Sequence, residues 1–181
     1  MKPVEIIQAF YQPGSKGYAV LVHHSEQVTR KALEIAEKVS LLEPDLDFIA
    51  EAAMLHDIGI VMTAAETLGC NGRHPYLRHG TLGREILDEK GLPRHALVCE
   101  RHVGVGISTA DIVSHALPLP VRDMRPVSIE EQIICYADKF FSKNGNGNGR
   151  EKSIEEILKE IKTYGPGKVA QFKTWLDLFQ R

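Results

Sequence analysis

The residues best suited to chemistry in this chain are four histidines and two aspartates: His24, His56, Asp57, His79, His102 and Asp138. Imidazole and carboxylate ligands together suit zinc, iron, manganese, nickel or cobalt better than calcium or magnesium. A set of this size exceeds the needs of one tetrahedral ion with an open position, but suits two divalent ions about 3.5–4 Å apart. Asp57 lies in the middle of the set and has two carboxylate oxygens, so we expect it to bridge the ions.

The first three of these residues lie on predicted helices. From about residue 18 to residue 40, apolar residues recur at spacings of three and four, and His24 belongs to that stripe while His23 points to solvent. A second apolar stripe ends at His56-Asp57. We expect that helix to carry Pro44 in its first turn and to end in a left-handed cap at Gly59.

The remaining three lie on later helices. A stripe from about residue 76 to residue 90 contains His79, and the following helix contains His102 on its apolar side. Ser128 followed by Glu131 is typical of a capping box, which predicts the start of the helix that carries Asp138. The candidate ligands therefore belong to the inward faces, or the ends, of five predicted helices.

The pattern predicts an all-α fold, because no stretch alternates between apolar and polar residues. We expect one domain over residues 1–181, with five core helices in about 20–142, a short N-terminal helix and a C-terminal helical extension over 150–181. A capping box at Ser153 and Glu156, and a helix after Pro166, form that extension. The long connection 104–127 is expected to be functional or to hold short helices, and the Asn-Gly run 144–149 to be mobile and dispensable.

The composition argues against a nucleic-acid-binding, a membrane-spanning or a disulfide-rich protein. The chain has 181 residues, is 43% hydrophobic and has a formal charge of −2, so no strong field favours stable binding to nucleic acid or an anionic membrane. No apolar run reaches the roughly 18 residues of a spanning helix. Cys70, Cys99 and Cys135 are scattered and form no CxxC pair, so we expect reduced thiols and a cytoplasmic location.

The ordered set resembles the HD superfamily of metal-dependent phosphohydrolases. Its H…HD…D signature is matched by His24, His56-Asp57 and Asp138, and the two extra histidines of its binuclear branch are matched by His79 and His102. The resemblance covers roughly residues 20–142, and residues 56–59 resemble the HDIG variant.

Two features depart from the branch that cleaves cyclic dinucleotides. Ile60 stands where many of those proteins have Lys or Arg, and no GYP motif is present. The ligand pattern is more similar to a bacterial group that hydrolyses diadenosine tetraphosphate.

The resemblance implies hydrolysis of a phosphoester or phosphoanhydride in a small phosphorylated substrate, expected to be a nucleotide, by a water that two divalent ions activate. It implies iron, manganese, nickel, cobalt or zinc as the metal. The candidate catalytic residues are Asp57, Lys139 and Arg101. The candidate substrate-binding residues are Arg73, Arg78 and Lys139, with His74, Arg122 and Arg125 as further groups for a distal phosphate.

Three alternatives remain open from the sequence. The same ligands resemble those of superfamily members that use a di-iron centre to activate oxygen. A non-catalytic protein could bind metal or a nucleotide as a regulator, although a purely structural zinc site is normally closed and four-coordinate. The residues could also form a buried polar network without metal.

Overall fold

The computed structural model describes residues 1–143 and 150–180, and within them the chain forms nine α-helices and a two-stranded antiparallel sheet. The α-helices are α1 (Pro3–Gln8), α2 (Lys16–Lys38), α3 (Leu46–Leu55), α4 (His79–Glu89), α5 (Pro93–Arg101), α6 (Thr109–Ser114), α7 (Ile129–Asp138), α8 (Ile154–Ile161) and α9 (Pro166–Phe179). The strands are β1 (Ala64–Ala65) and β2 (Cys70–Asn71). The all-α prediction is confirmed, and the prediction for 144–149 falls outside the described residues.

Helix starts follow local capping chemistry. The side chain of Asp45 accepts a hydrogen bond from the backbone N–H of Phe48, so Asp45 is the N-cap of α3. Pro44 precedes this cap, and its predicted position in the first turn was wrong because the aspartate side chain already defines where the helix begins. The capping box of Ser153 and Glu156 is confirmed at α8, with both reciprocal hydrogen bonds present.

The capping box predicted at Ser128 is only half formed. The Ser128 hydroxyl accepts from the backbone N–H of Glu131 and thereby caps α7. The Glu131 carboxylate instead accepts from the backbone N–H of Val127 and pairs with Arg101. The helix starts where the pattern predicted, but the glutamate links it to α5.

Gly59 does not form the predicted left-handed cap. It lies within a 3₁₀ helix, Ile58–Met62, and its φ angle is not in the positive, left-handed range. A Cβ atom at Gly59 would lie 2.1 Å from the carbonyl oxygen of His79. Close approach of two backbone segments, and not backbone conformation, is what requires glycine here.

Two apolar clusters form the core. One joins α2, α3 and α7 to α8 and α9, and includes Val28, Ala53, Ile134, Phe172 and Trp175. The other joins α1 and the start of α2 to α4, α5 and the segment after α3, and includes Ile7, Leu21, Leu55, Ile58 and Leu87.

The candidate ligands lie where these clusters meet. Along α2, His24 separates Leu21 of one cluster from Val28 of the other. The packing of two apolar clusters against one polar strip therefore removes these groups from water.

The C-terminal helices complete the first cluster. Phe172 of α9 stacks on Tyr136 of α7 with ring centroids 5.1 Å apart, and the indole N–H of Trp175 donates to the side-chain oxygen of Gln132 at 2.9 Å. Within the described residues, no helix has both the length and the apolar character needed to cross a membrane.

The connection 104–127 holds one short helix, α6, whose Ser108 and Asp111 form a capping box. Lys168 of α9 donates to Asp111 and to the backbone oxygen of Gly106, which ties this connection to the C-terminal helix. The sequence predicted either a functional loop or short helices here, and the structure contains one short helix.

Candidate metal centre

All the candidate ligands converge in one buried cluster. Each has at most 5% of its surface exposed, and they come from α2 (His24), the turn after α3 (His56 and Asp57), the start of α4 (His79), the end of α5 (His102) and the end of α7 (Asp138). Helix ends bring most of them together, which allows adjacent residues such as His56 and Asp57 to face one site.

One half of the cluster is built around Oδ2 of Asp57. This oxygen lies 3.4 Å from Nε2 of His24 and 3.1 Å from Nε2 of His56. Oδ1 of Asp138 lies 2.9 Å and 3.5 Å from the same two nitrogens. Two imidazoles and two carboxylates therefore present donor atoms to a common point.

The other half is built around Oδ1 of Asp57. It lies 3.4 Å from Nε2 of His79 and 3.2 Å from Nε2 of His102, and those two nitrogens are 3.2 Å apart. Each half is a set of ligand atoms close enough to hold one ion. Asp57 belongs to both halves and contributes one carboxylate oxygen to each half.

Backbone carbonyls orient three of the imidazoles. The Nδ1 atoms of His56, His79 and His102 lie 2.6–2.7 Å from the carbonyl oxygens three residues earlier, those of Ala53, Tyr76 and Cys99. Because a carbonyl only accepts, Nδ1 must carry the hydrogen, and Nε2 of a neutral ring keeps its lone pair for the cluster.

Burial decides the charge of His24 and His79. It lowers the pKa of His24 to about 4, with a further lowering from Lys143 and an opposing effect from Asp138. Burial also lowers the pKa of His79 to about 3 against the attraction of Asp57. Both rings are neutral at pH 7 and available as ligands.

The other two imidazoles differ from each other. Burial lowers the pKa of His102 as well, although the neighbouring Asp57 carboxylate opposes that shift. At His56 burial again lowers the pKa, but Asp57 and Asp138 outweigh it and raise the pKa to about 9. The two carboxylates therefore favour a positive charge beside them, which His56 or a bound cation can supply.

Both carboxylates stay ionised. Burial would raise the pKa of Asp57, but His56 and Lys143 hold it well below its ordinary value. The pKa of Asp138 is likewise held low against burial, chiefly by Lys139 and Lys143.

The donor set fits divalent cations. Nε2 of His79 and Nε2 of His102 both present lone pairs at 3.2 Å, beside an anionic oxygen, an arrangement that repels itself without a cation. Neither oxygen of Asp57, nor Nε2 of His56, has a hydrogen-bond partner although each is buried. Neutral imidazoles and carboxylates with free lone pairs are ligands for divalent transition metals.

A pocket of about 670 Å³ adjoins the cluster, and its wall includes His79, His102 and Asp138. Three lysines also line it: Lys139, Lys143 and Lys152. Aromatic side chains of Tyr76, Phe141 and Tyr164 lie on the same wall. Its size is within the usual range for small-ligand sites.

Of the basic residues suggested by the sequence, Lys139 is the one that this pocket brings to the centre, with Nζ 2.8 Å from Oδ2 of Asp138. Arg101 instead points to Glu131, with Nη1 2.9 Å from one carboxylate oxygen and 3.0 Å from the other. The suggested catalytic arginine is thus engaged in a helix–helix ion pair, because a carboxylate on α7 lies within its reach.

The other arginines also lie outside the pocket wall. Arg73 is exposed, and Arg78 contacts Nδ1 of His74 at 3.2 Å. Arg122 pairs with Glu100, which is buried, and Arg125 pairs with its close neighbour Asp123. Local carboxylates or a neighbouring imidazole engage three of these four arginines.

Lys143 is the residue that sequence reasoning missed. Its Nζ lies 2.8 Å from Oδ2 of Asp57 and 3.6 Å from Oδ1 of Asp138, and its side chain is 16% exposed. It follows the end of α7 by one short turn, so the available signal was a lysine just beyond the last ligand of the set.

The family model of the HD domain matches residues 21–142. The chain therefore belongs to the HD domain family. The predicted resemblance is confirmed at this level.

The chain is similar to proteins of three named organisms. An uncharacterized protein of Methanocaldococcus jannaschii is 33% identical over 144 residues, which are 78% of this chain and 75% of that protein. Proteins named tRNA (cytidine(56)-2'-O)-methyltransferase are 28% identical in Thermoplasma volcanium, over 86% of this chain, and 32% identical in Picrophilus torridus, over 68% of it. The matches span 43% and 32% of those two proteins, so this chain corresponds to less than half of each.

Among solved structures, the HD domain of the L. monocytogenes phosphodiesterase PgpH is similar, with a TM-score of 0.54 and 16% identity. The match covers 95% of this chain and 93% of that one. At this identity the likeness concerns the fold.

Proposed function

We propose that this protein is a metal-dependent phosphohydrolase that cleaves a phosphoester or phosphoanhydride bond of a nucleotide at a two-metal centre. The observation that carries the proposal is the division of Asp57, whose two oxygens face two different pairs of imidazoles at 3.1–3.4 Å. Membership of the HD domain family supports the same class of chemistry.

The ligands divide between two ions. His24, His56 and Asp138 would hold one, His79 and His102 would hold the other, and Asp57 would be bound to both. When bound, such ions supply a water of lowered pKa and hold the phosphoryl oxygens during attack.

Charge favours a phosphate at this centre. Asp57 and Asp138 contribute two negative charges, and the histidines are neutral as ligands, so two divalent ions leave an excess of positive charge. Lys139 and Lys143 line the adjacent pocket and add to that excess. A phosphoryl group with its negative oxygens is the substrate that this field attracts.

Two of the chain's own groups have roles in the chemical step. Asp57 holds the two halves of the centre at a fixed separation, because each of its carboxylate oxygens faces a different pair of imidazoles. Lys139, with Nζ 2.8 Å from Asp138, lies at the pocket wall where it can stabilise charge on a phosphoryl oxygen or on the leaving group.

The aromatic part of the pocket supports a nucleotide as substrate. Tyr76, Phe141 and Tyr164 line the same wall as the lysines. Aromatic faces bind a base by stacking and contribute about 1–3 kcal/mol per base. A phosphate at the metal centre and a base on the aromatic side chains would use both properties of the wall.

We do not propose methyl transfer as the activity of this chain. Two relatives have that name, but each is more than twice as long as the segment that matches this chain. The buried histidines and aspartates described above suit metal ligation.

The test is a hydrolysis assay on a panel of nucleoside mono-, di- and triphosphates and dinucleotides, with Mn²⁺, Co²⁺, Ni²⁺ or Fe²⁺ added to metal-free protein. We expect release of phosphate or of a mononucleotide with at least one metal, and loss of that activity in Asp57→Asn. The exposed Glu34→Gln variant is the control and should keep full activity. Oxygen consumption by the iron-loaded protein without hydrolysis of any nucleotide would contradict the proposal and favour an oxygenase.

A further inference from the structure

Lys143 supplies a buried positive charge at the centre. Its ammonium lies 2.8 Å from Oδ2 of Asp57 and 3.6 Å from Oδ1 of Asp138. Lysine is rarely this buried unless it is paired, and here its partners are two carboxylates that are proposed to bind metal.

The oxygens that Lys143 contacts are the ones that define one half of the centre. Oδ2 of Asp57 and Oδ1 of Asp138 are also the oxygens that face Nε2 of His24 and Nε2 of His56, at 2.9–3.5 Å. The ammonium and these imidazole nitrogens therefore point to the same two oxygens. A divalent ion bound by this donor set would meet the ammonium directly.

The contact between Nζ of Lys143 and Oδ2 of Asp57 is a close ion pair, at 2.8 Å. The same oxygen lies 3.1 Å from Nε2 of His56 and 3.4 Å from Nε2 of His24. A divalent ion held by these groups would repel the ammonium, because two positive charges at such short range are unfavourable.

The Lys143 side chain also borders an open pocket. Lys143 lines the pocket of about 670 Å³ as well as the centre, and Lys139 and Lys152 lie on the same wall. Rotation of its flexible four-carbon stem would move the ammonium from the carboxylates into that pocket, where the proposed substrate phosphate enters.

We propose that the ammonium of Lys143 is an internal counter-ion that occupies the half-site of His24, His56, Asp57 and Asp138 in the metal-free protein. Binding of a divalent ion displaces it into the pocket, where it becomes a ligand for the substrate phosphate. This inference rests on the proposed metal centre. Together with His56 and Lys139, the ammonium balances the charge of the two buried carboxylates before metal binds, and it makes Lys143 oppose the first ion and favour the substrate.

The first test is metal affinity, measured by calorimetric titration of metal-free protein with Mn²⁺ alone. Lys143→Met should bind Mn²⁺ at least about tenfold more tightly than wild type, because the competing charge is gone. Lys143→Arg keeps the charge and should stay within about threefold of wild type. Equal or weaker Mn²⁺ binding by Lys143→Met would overturn the proposal.

Lys31→Met is the matched control. Lys31 is also a largely buried lysine, with a 20% exposed side chain paired to Glu151, but it lies away from the centre. Its substitution should leave Mn²⁺ affinity unchanged. A similar gain in Lys31→Met would show that the effect of Lys143→Met reflects overall charge, and would count against the proposal.

The second test uses the unmodified protein, so it does not depend on the folding of a variant. An amine-acetylating reagent is applied with and without Mn²⁺, and the modified lysines are quantified by peptide mass spectrometry. Mn²⁺ should raise acetylation of Lys143 several-fold while Lys31 stays constant. Unchanged or reduced acetylation of Lys143 would overturn the displacement.

The third test is binding of inorganic phosphate to protein saturated with Mn²⁺. Lys143→Met should bind phosphate at least about fivefold more weakly than wild type, because a cation is missing from the pocket. Unchanged phosphate affinity would overturn the substrate role. Neither metal affinity nor acetylation requires turnover, so absence of nucleotide hydrolysis would contradict the proposed function without deciding these results.

Discussion

Gly59 and His79 lie so close together that a Cβ atom on Gly59 would be 2.1 Å from the His79 carbonyl oxygen. The same atom would be 2.3 Å from the backbone nitrogen of Gly83, so the 3₁₀ turn after Asp57 rests directly on the first turn of α4. This contact fixes the distance between Asp57 and His79, which belong to the second half of the proposed metal centre.

Gly59→Ala should therefore destabilise the protein by about 3 kcal/mol and also weaken metal binding, because the backbone of α4 must move away from Asp57. Gly167→Ala is the matched control, since nothing lies within 4 Å of a Cβ there. That change should be neutral or stabilising by a few tenths of a kcal/mol. Chemical denaturation of both variants measures the difference; equal stability would show that the turn and α4 are not in fixed contact.

Two divalent ions should bind per chain. Each oxygen of Asp57 faces its own pair of imidazoles, so the two halves of the centre can fill together. Elemental analysis of protein loaded with Mn²⁺ or Fe²⁺ and then desalted should approach two ions per chain. His79→Ala should reduce that number to one, while a fully loaded protein with one ion would contradict the two-metal centre.

Asp57→Ala and Asp138→Ala should fail in different ways. Asp57 faces both halves of the centre, so its loss removes a ligand from each ion and leaves the two dications less screened from each other. Of the histidines in the cluster, Asp138 is close to the two in one half, His24 and His56. We expect Asp57→Ala to be inactive at every metal concentration and Asp138→Ala to recover part of its activity at high metal concentration.

Activity measured across a metal titration distinguishes these outcomes. Equal recovery of the two variants would show that Asp57 is not shared between two ions. Full activity in Asp57→Ala would remove the basis of the two-metal mechanism.

Substitution of Arg101 should affect mainly the stability of the protein, whereas substitution of Lys139 should affect mainly catalysis. Arg101→Met breaks the ion pair with Glu131, whose side chain is 8% exposed, and should lower stability by about 3 kcal/mol with kcat and KM within about twofold of wild type. Lys139→Met removes the cation beside Asp138 at the pocket wall and should lower kcat at least tenfold. Steady-state kinetics below the unfolding range gives both values, and a large loss of kcat in Arg101→Met would restore its suggested catalytic role.

Tyr164 should affect nucleotides more than simple phosphoesters. It lies on the pocket wall after α8 and is 63% exposed, so it can stack on a base without support from the core. Tyr164→Ala should raise KM for the best nucleotide about fivefold or more and leave kcat nearly unchanged. KM for p-nitrophenyl phosphate, which lacks a base, should change by less than twofold; an equal change for both substrates would contradict stacking.

The sequence predicted the main helices and the buried side of the helices that carry the candidate ligands. His24 lies between Leu21 and Val28 on one apolar stripe, and the periodicity alone assigned it to the buried side of its helix. The order of histidines and aspartates also identified the family. These features depend on residues near each other in the chain, where spacing and side-chain type are sufficient.

Packing decided what the sequence left open. The sequence suggested Asp57 as the shared residue, but only the fold assigns Oδ1 to His79 and His102 and Oδ2 to His24 and His56.

Tertiary contacts also determine where the long basic side chains lie. Arg101 pairs with Glu131 and Lys143 reaches Asp57, because long flexible side chains go to the nearest available charge, wherever the fold has brought it. Periodicity specifies which side of a helix is buried. It does not specify which charge from another segment will lie against that side, and this determines the chemistry of the site.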